Sequence, residues 1–213
     1  MFRPWEFAES LARDLSASGV RALLLRGPGP AGSPASRPPD EPFGLELLVP
    51  SEHAARARAV LDDRDWNYQL GGQGLWRVLP ASTYSWAEAP YLWRQAPMVE
   101  LSWSVVAALP LGGFRELERS LWQGASRHTL GWMEPDPESL AVYLSLQIAR
   151  GGPRTEERLR HLAHCLSMAS GERADRIAAR CKVQSALAAA AASLRRPGGG
   201  GTRRTRARPP YDG

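Results

Sequence analysis

The stretch Phe43-Gly44-Leu45-Glu46-Leu47-Leu48-Val49 decides the fold. Beyond Gly44 it is apolar with one interruption, the acid Glu46, and Pro50 stops it. A short apolar run bounded by turn residues reads as a β-strand. Alternate side chains of a strand point to opposite faces, so Leu45 and Leu47 lie on the side away from Glu46. Directly downstream, Ser51 offers an N-cap for a helix from Glu52 to about Asp63.

Upstream, residues 27–42 hold six prolines and three glycines, a composition that forbids helix and central strand and predicts a long irregular loop. Before it, Val20–Leu25 reads as a strand. Pro4 sits at a first-turn position, and Trp5, Ala8, Leu11, Ala12 and Leu15 line one helical face, with Gly19 closing the helix. Downstream of the 52–63 helix, Trp76–Leu79, Tyr91–Gln95 and Met98–Val105 read as extended, with Ala96-Pro97 as a turn between the last two. The first half is therefore predicted to be a mixed sheet with flanking helices.

From Gly113 the period becomes helical: about 114–124, 137–150, 155–169 and 172–195. Asp136 between Pro135 and Pro137 marks one start, and Gly151-Gly152-Pro153 and Gly171 mark breaks. The expected organisation is α+β: an α/β half over residues 1–110, a helical half over 111–195, and a disordered Arg-rich tail over 196–213.

Charge agrees with that division. The formal net charge is +5, and residues 195–213 alone carry six arginines against one acid, Asp212, so the rest of the chain is formally neutral. That excludes a generally basic nucleic-acid-binding surface. What remains is weak, salt-sensitive nucleic-acid contact by the tail, or a merely solvated extension. Arginine richness is general in this chain, whose basic residues include a single lysine, Lys182.

Hydrophobic content of 43% with eight tryptophans supplies the buried area that offsets chain entropy. The tryptophans are expected in the core. No stretch reaches the roughly 18 uninterrupted apolar residues of a membrane span, and Met1-Phe2-Arg3-Pro4 lacks an apolar signal core, which predicts a cytoplasmic protein. Cys165 and Cys181 have no Cys or His at metal spacing and read as buried free thiols. His161 and His164 share a helix without a carboxylate partner and read as packing or surface residues. No nucleophile elbow or Cys/His motif supports a hydrolase.

The order helix, strand ending Leu24-Leu25-Arg26-Gly27-Pro28, loop, strand Leu45-Glu46-Leu47-Leu48-Val49-Pro50, helix, and then Val99-Glu100-Leu101-Ser102-Trp103 resembles the uncharacterised bacterial nucleotidyltransferase-like family. The resemblance covers roughly residues 5–195. Members typically show a Lys-Gly element, an Arg-bearing loop, an Asp-x-Asp-Leu-Leu-Val strand, and a later strand with an acid, Leu, His and Trp. Here Arg26 stands for the Lys, Gly27 for the Gly and Arg37 for the loop arginine. Gly44 falls on the first acid of the pair, Glu46 on the second, Glu100 on the third acid and Ser102 on the His.

The resemblance implies transfer of a nucleotidyl group from a nucleoside triphosphate to a small-molecule, peptide or protein hydroxyl. Mg²⁺ would be held by Glu46 and Glu100, and the nucleotide by Arg26, Gly27 and Arg37. Such chemistry needs carboxylates converging on one point, because divalent ions bridge the attacking and leaving oxygens. Gly44 removes one ligand. Pro28, Pro30 and Pro34 remove backbone N–H groups from the phosphate loop. Asp40 or Glu41 is a conceivable substitute acid. The other expectation is a catalytically inactive scaffold, an accessory protein-binding partner in a biosynthetic pathway. In that case Glu46 forms a metal-free salt bridge with Arg26 or Arg37, and Arg37 is otherwise an exposed loop residue.

Overall fold

The computed structural model describes residues 4–27, 44–63, 66–70, 75–80, 98–102, 111–127, 131–149 and 155–195. All of the proline-rich loop 27–42 but Gly27, the predicted strand Tyr91–Gln95, the Ala96-Pro97 turn and the Arg-rich tail fall outside them.

Helix α1 (Pro4–Ala17) buries Ala8, Leu11, Ala12 and Leu15, the stripe read from the sequence. It ends in a Schellman turn. The N–H of Val20 donates to Leu15 O at 2.8 Å and that of Gly19 to Ser16 O at 2.9 Å, with Gly19 at φ +67°. Strand β1 (Leu23–Arg26) starts three residues later than the Val20 expected and extends to include Arg26. Strand β2 (Gly44–Leu48) lies in the decisive stretch and stops before Val49.

After Pro50 the chain makes a 3₁₀ turn (Ser51–His53) and then α2 (Ala54–Asp62). Ser51 is not a cap here: no side-chain cap bond forms, and its hydroxyl lies 3.4 Å from Glu52 Oε2. Strands β3 (Trp66–Leu70), β4 (Leu75–Pro80) and β5 (Met98–Ser102) follow, the first of them unexpected from sequence. Helix α3 (Leu111–Gln123) is followed by two-residue strands β6 (Ser126–Arg127) and β7 (Met133–Glu134), also unexpected. Helices α4 (Pro137–Ala149), α5 (Thr155–Met168), α6 (Gly171–Cys181) and α7 (Gln184–Leu194) come last among the described residues.

Among the described residues the strands form one mixed sheet of order β3-β4-β5-β2-β1-β7-β6. The pairs β2–β5 and β1–β7 are parallel and the others antiparallel. One face carries Leu24, Leu45, Leu47 and Val49, packed in a cluster with α1, α2 and Trp132. The other carries Leu23, Leu25 and Leu48, packed with α3 to α7. The fold is thus three layers, with the central strands buried on both sides. Helix α4 is the hub of the helical layer: every residue from Glu138 to Ser145 is buried.

The expected single helix over 172–195 is two. Lys182 at φ 59° turns the chain, with Val183 N–H on Ala178 O at 2.8 Å and Lys182 N–H on Ala179 O at 3.1 Å. This repeats the Schellman pattern of α1 with lysine in place of glycine. The start of α4 is as read: Asp136 caps it by accepting from Ser139 N–H at 2.8 Å, with Pro137 in the first turn.

Candidate functional site

Glu46 is the one acid of an otherwise apolar strand, and its neighbours decide what it can do. Pairing of β1 with β2 runs Leu23 to Leu48 and Leu24 to Leu47, then skips to Arg26 opposite Glu46. Leu25 is the extra residue of a β-bulge. A bulge rotates the residues after it, and here it turns Arg26 onto the face that Glu46 shares with Leu48. Without the skip, Leu25 would oppose Glu46.

Both side chains are buried, Arg26 at 5% exposure and Glu46 at 7%. Arg26 Nε lies 3.5 Å from Glu46 Oε2. The second carboxylate oxygen, Oε1, accepts a hydrogen bond from the hydroxyl of Tyr143 on α4. One turn on, Gln147 Nε2 donates to that same hydroxyl at 3.1 Å. A buried charge is tolerable only when paired and hydrogen-bonded, and Glu46 has both. Of the partners foreseen for it, Arg26 is the one found; Arg37 lies outside the described residues.

Tyr143 and Gln147 were not legible as site residues. The available signal was the all-round apolar character of α4: a helix buried on every side that carries a tyrosine must bury its hydroxyl against a partner.

Gly27 follows Arg26. A Cβ there would come within 2.9 Å of Leu24 Cδ1 and 3.0 Å of Leu45 Cδ2, so the absence of a side chain lets the strand end lie close on those leucines. Glu100 is opposite Glu46 in the parallel β2–β5 register, and Gly44 is opposite Met98. Asp40 and Glu41 lie outside the described residues.

Among the described residues no group of three His, Cys, Asp or Glu converges as a metal-binding set. At Glu46 the described side chains do not fit a divalent ion. The carboxylate is already engaged on both oxygens, one by a cation, and a second cation would have to displace the first. Gly44 contributes no ligand.

The remaining perturbed groups lie elsewhere. Burial pushes the Cys165 thiol up to about 12 and the Cys181 thiol up to about 11, so both are inert buried thiols as expected. Burial works to raise the carboxyl of Glu138, but hydrogen bonds from the backbone N–H groups of Ser170 and of Glu138 itself, one shared with Asp136, and the charge of Arg173 outweigh it. The carboxyl is held below its ordinary value. Its bond from Ser170 N–H, at 3.0 Å, ties the start of α4 to that of α6.

Two solved structures share this fold. The solution structure of the antibiotic-resistance factor ANT(2'')-Ia matches with a TM-score of 0.50 and 10% identity, over 89% of this chain and 95% of that one. The crystal structure of ANT(2'')-Ia in complex with adenylyl-2''-tobramycin matches with a TM-score of 0.52 and 10% identity, over 85% and 98%. No protein-family model and no curated protein matches the chain. At this identity the likeness is one of fold: an α+β, nucleotidyltransferase-like mixed sheet with flanking helices, followed by a helical bundle. No helix among the described residues is long and apolar enough to cross a membrane.

Proposed function

We propose that the chain is a nucleotidyltransferase-fold binding module that has given up metal-dependent transfer, acting through a protein partner as an accessory component. The observation that carries this reading is the engagement of Glu46 by Arg26 and Tyr143, which consumes the acid that metal chemistry would need. Gly44 supports it from the sequence. Fold does not fix function, so the site decides.

A second reading is favoured by one observation, the placement of Glu46 and Glu100 at the same register of adjacent parallel strands. On this reading the chain is a working nucleotidyltransferase that joins the α-phosphorus of a nucleoside triphosphate to an acceptor hydroxyl oxygen and releases pyrophosphate. Arg26, Gly27 and Arg37 would serve the nucleotide. The acceptor would be a small molecule, as the adenylylated tobramycin bound by ANT(2'')-Ia illustrates for that protein, or a peptide or protein.

Calorimetric titration with ATP and GTP, with and without Mg²⁺, separates the two. The first reading expects no Mg²⁺-dependent binding in the wild type or in Glu46→Gln. Metal-dependent binding that Glu46→Gln abolishes would replace it with the second.

A further inference from the structure

The outward face of α6 carries three arginines, Arg173, Arg176 and Arg180, while Ala174, Ile177, Ala178 and Cys181 are buried on the inward one. Spacings of three and four residues put the arginines within about 60° of one another around the helix, in a stripe about 10 Å long. With Ile177 and Ala179 they line an open depression of about 460 Å³. Acids are close by, but they are the less exposed members of the pairs that hold the two ends of the stripe. Asp136, the cap of α4, is 11% exposed beside Arg173 at 49%, and Glu116 of α3 is 21% exposed beside Arg180 at 57%.

This arrangement fixes the end arginines without exhausting them. Arg173 donates from Nη2 to Asp136 Oδ2 at 3.2 Å, and Arg180 sets Nε 3.5 Å from Glu116 Oε1, whereas a guanidinium has five N–H donors. Glu116 is shared with Arg119, whose Nη1 donates to Oε2 at 2.7 Å, so one carboxylate serves two cations. Arg176 meets Glu172 at 3.7 Å, a contact between two exposed side chains that holds little. Solvent therefore meets a row of arginine forks, two of them held in place, and such forks match carboxylates bidentately. A nucleic acid fits less well, because the neighbouring acids balance most of the charge and phosphate binding draws on net positive charge. We propose that this stripe docks an acidic segment of a protein partner, whose carboxylates meet Arg173, Arg176 and Arg180 in turn. The proposal deepens the proposed function, on whose protein-partner reading it rests, by naming the surface and the partner's chemistry.

The test measures, by fluorescence anisotropy, binding of a fluorescein-labelled peptide of glutamate and leucine to the full chain, wild type and R173Q/R176Q/R180Q. The wild type is expected to bind this peptide and not the same peptide with glutamine in place of glutamate. The triple variant should bind at least about tenfold more weakly. The six arginines of residues 195–213 are present in both proteins and so contribute nothing to that difference. Arg173 and Arg180 also tie α6 to its neighbours. If the triple variant fails to fold, Arg176→Glu, which leaves both ties in place, should still weaken binding about three- to tenfold. No binding by the wild type, or equal binding by the variants, overturns the docking stripe and leaves the proposed function standing. That function falls instead on Mg²⁺-dependent nucleotide binding that Glu46→Gln abolishes. Tighter binding of a labelled oligouridylate than of the peptide, lost in the same variants, overturns the acidic partner in favour of RNA.

Discussion

The two faces of the central sheet solve the same packing problem differently. Beneath α1 and α2 the strands present Leu24, Leu45, Leu47 and Val49 against an apolar layer. Beneath the helical half, the same two strands present Leu23, Leu25 and Leu48 together with the buried charges of Arg26 and Glu46, which reach α4 through Tyr143. The apolar face is held by area alone and tolerates any well-packed substitute. The polar face works only while its partners are complete, because each group is costly once the other is gone. A buried ion pair is weak grounds for stability.

The largest effect should come from breaking the polar face on one side. Arg26→Met leaves Glu46 buried without its cation and is expected to cost about 3–5 kcal/mol in urea unfolding. Adding Glu46→Gln should recover a substantial part of the loss. If the double variant is no more stable than Arg26→Met, the two faces do not differ in the way described. On the other face, Leu47 is fully buried, and Leu47→Ala is expected to cost about 2–5 kcal/mol through lost transfer energy and a cavity. Glu46→Gln should not rescue it, and the two losses should add, since Leu47 and Glu46 point to opposite layers.

How much of this was legible follows from the kind of signal each element carries. Strand β2 announced itself by its apolar run, α1 by its stripe and Gly19, and α4 by Asp136-Pro137. The opposite orientations of Glu46 and Leu47 followed from the two-residue period of a strand. Other features were not readable. The bulge at Leu25 is a register relation between two strands, and a single strand's sequence does not contain it. The short strands β6 and β7 have no periodicity to detect and exist because their neighbours offer hydrogen bonds, as Ala22 O does to Met133 N–H at 2.9 Å. The break between α6 and α7 lacks glycine and proline, and Val183 and Leu187 just after it are buried in the core shared by the helices.

That last miss gives a second comparison, between the two Schellman turns. Gly19 adopts its left-handed backbone freely, whereas Lys182 at φ 59° does so against a steric penalty. Lys182→Gly is expected to raise stability by about 0.5–1 kcal/mol, the penalty being partly offset by the entropy of a more flexible unfolded chain. Gly19→Ala should move the other way. A destabilised Lys182→Gly would mean that the lysine side chain contributes more than its strained backbone costs.

The smallest effect is expected where the helical half carries a second buried acid, Glu138, held by backbone donors rather than by a cation alone. Burial by itself would raise its carboxyl, yet the bond from Ser170 N–H and the nearby Arg173 hold it below the ordinary value of 4.5. A folded-state value below the unfolded one means that the native state favours the ionised form. The resulting stabilisation is complete above about pH 4.5 and is lost as the pH falls through the lower folded value. Glu138→Gln removes this titration, so the stability difference between wild type and variant should be constant near neutrality and shrink on acidification below that pH. A difference that widened on acidification would mean that burial, and not the Ser170 bond, governs this carboxyl. The acid on the helical side would then be a liability like an unpaired Glu46 and not a tie between α4 and α6.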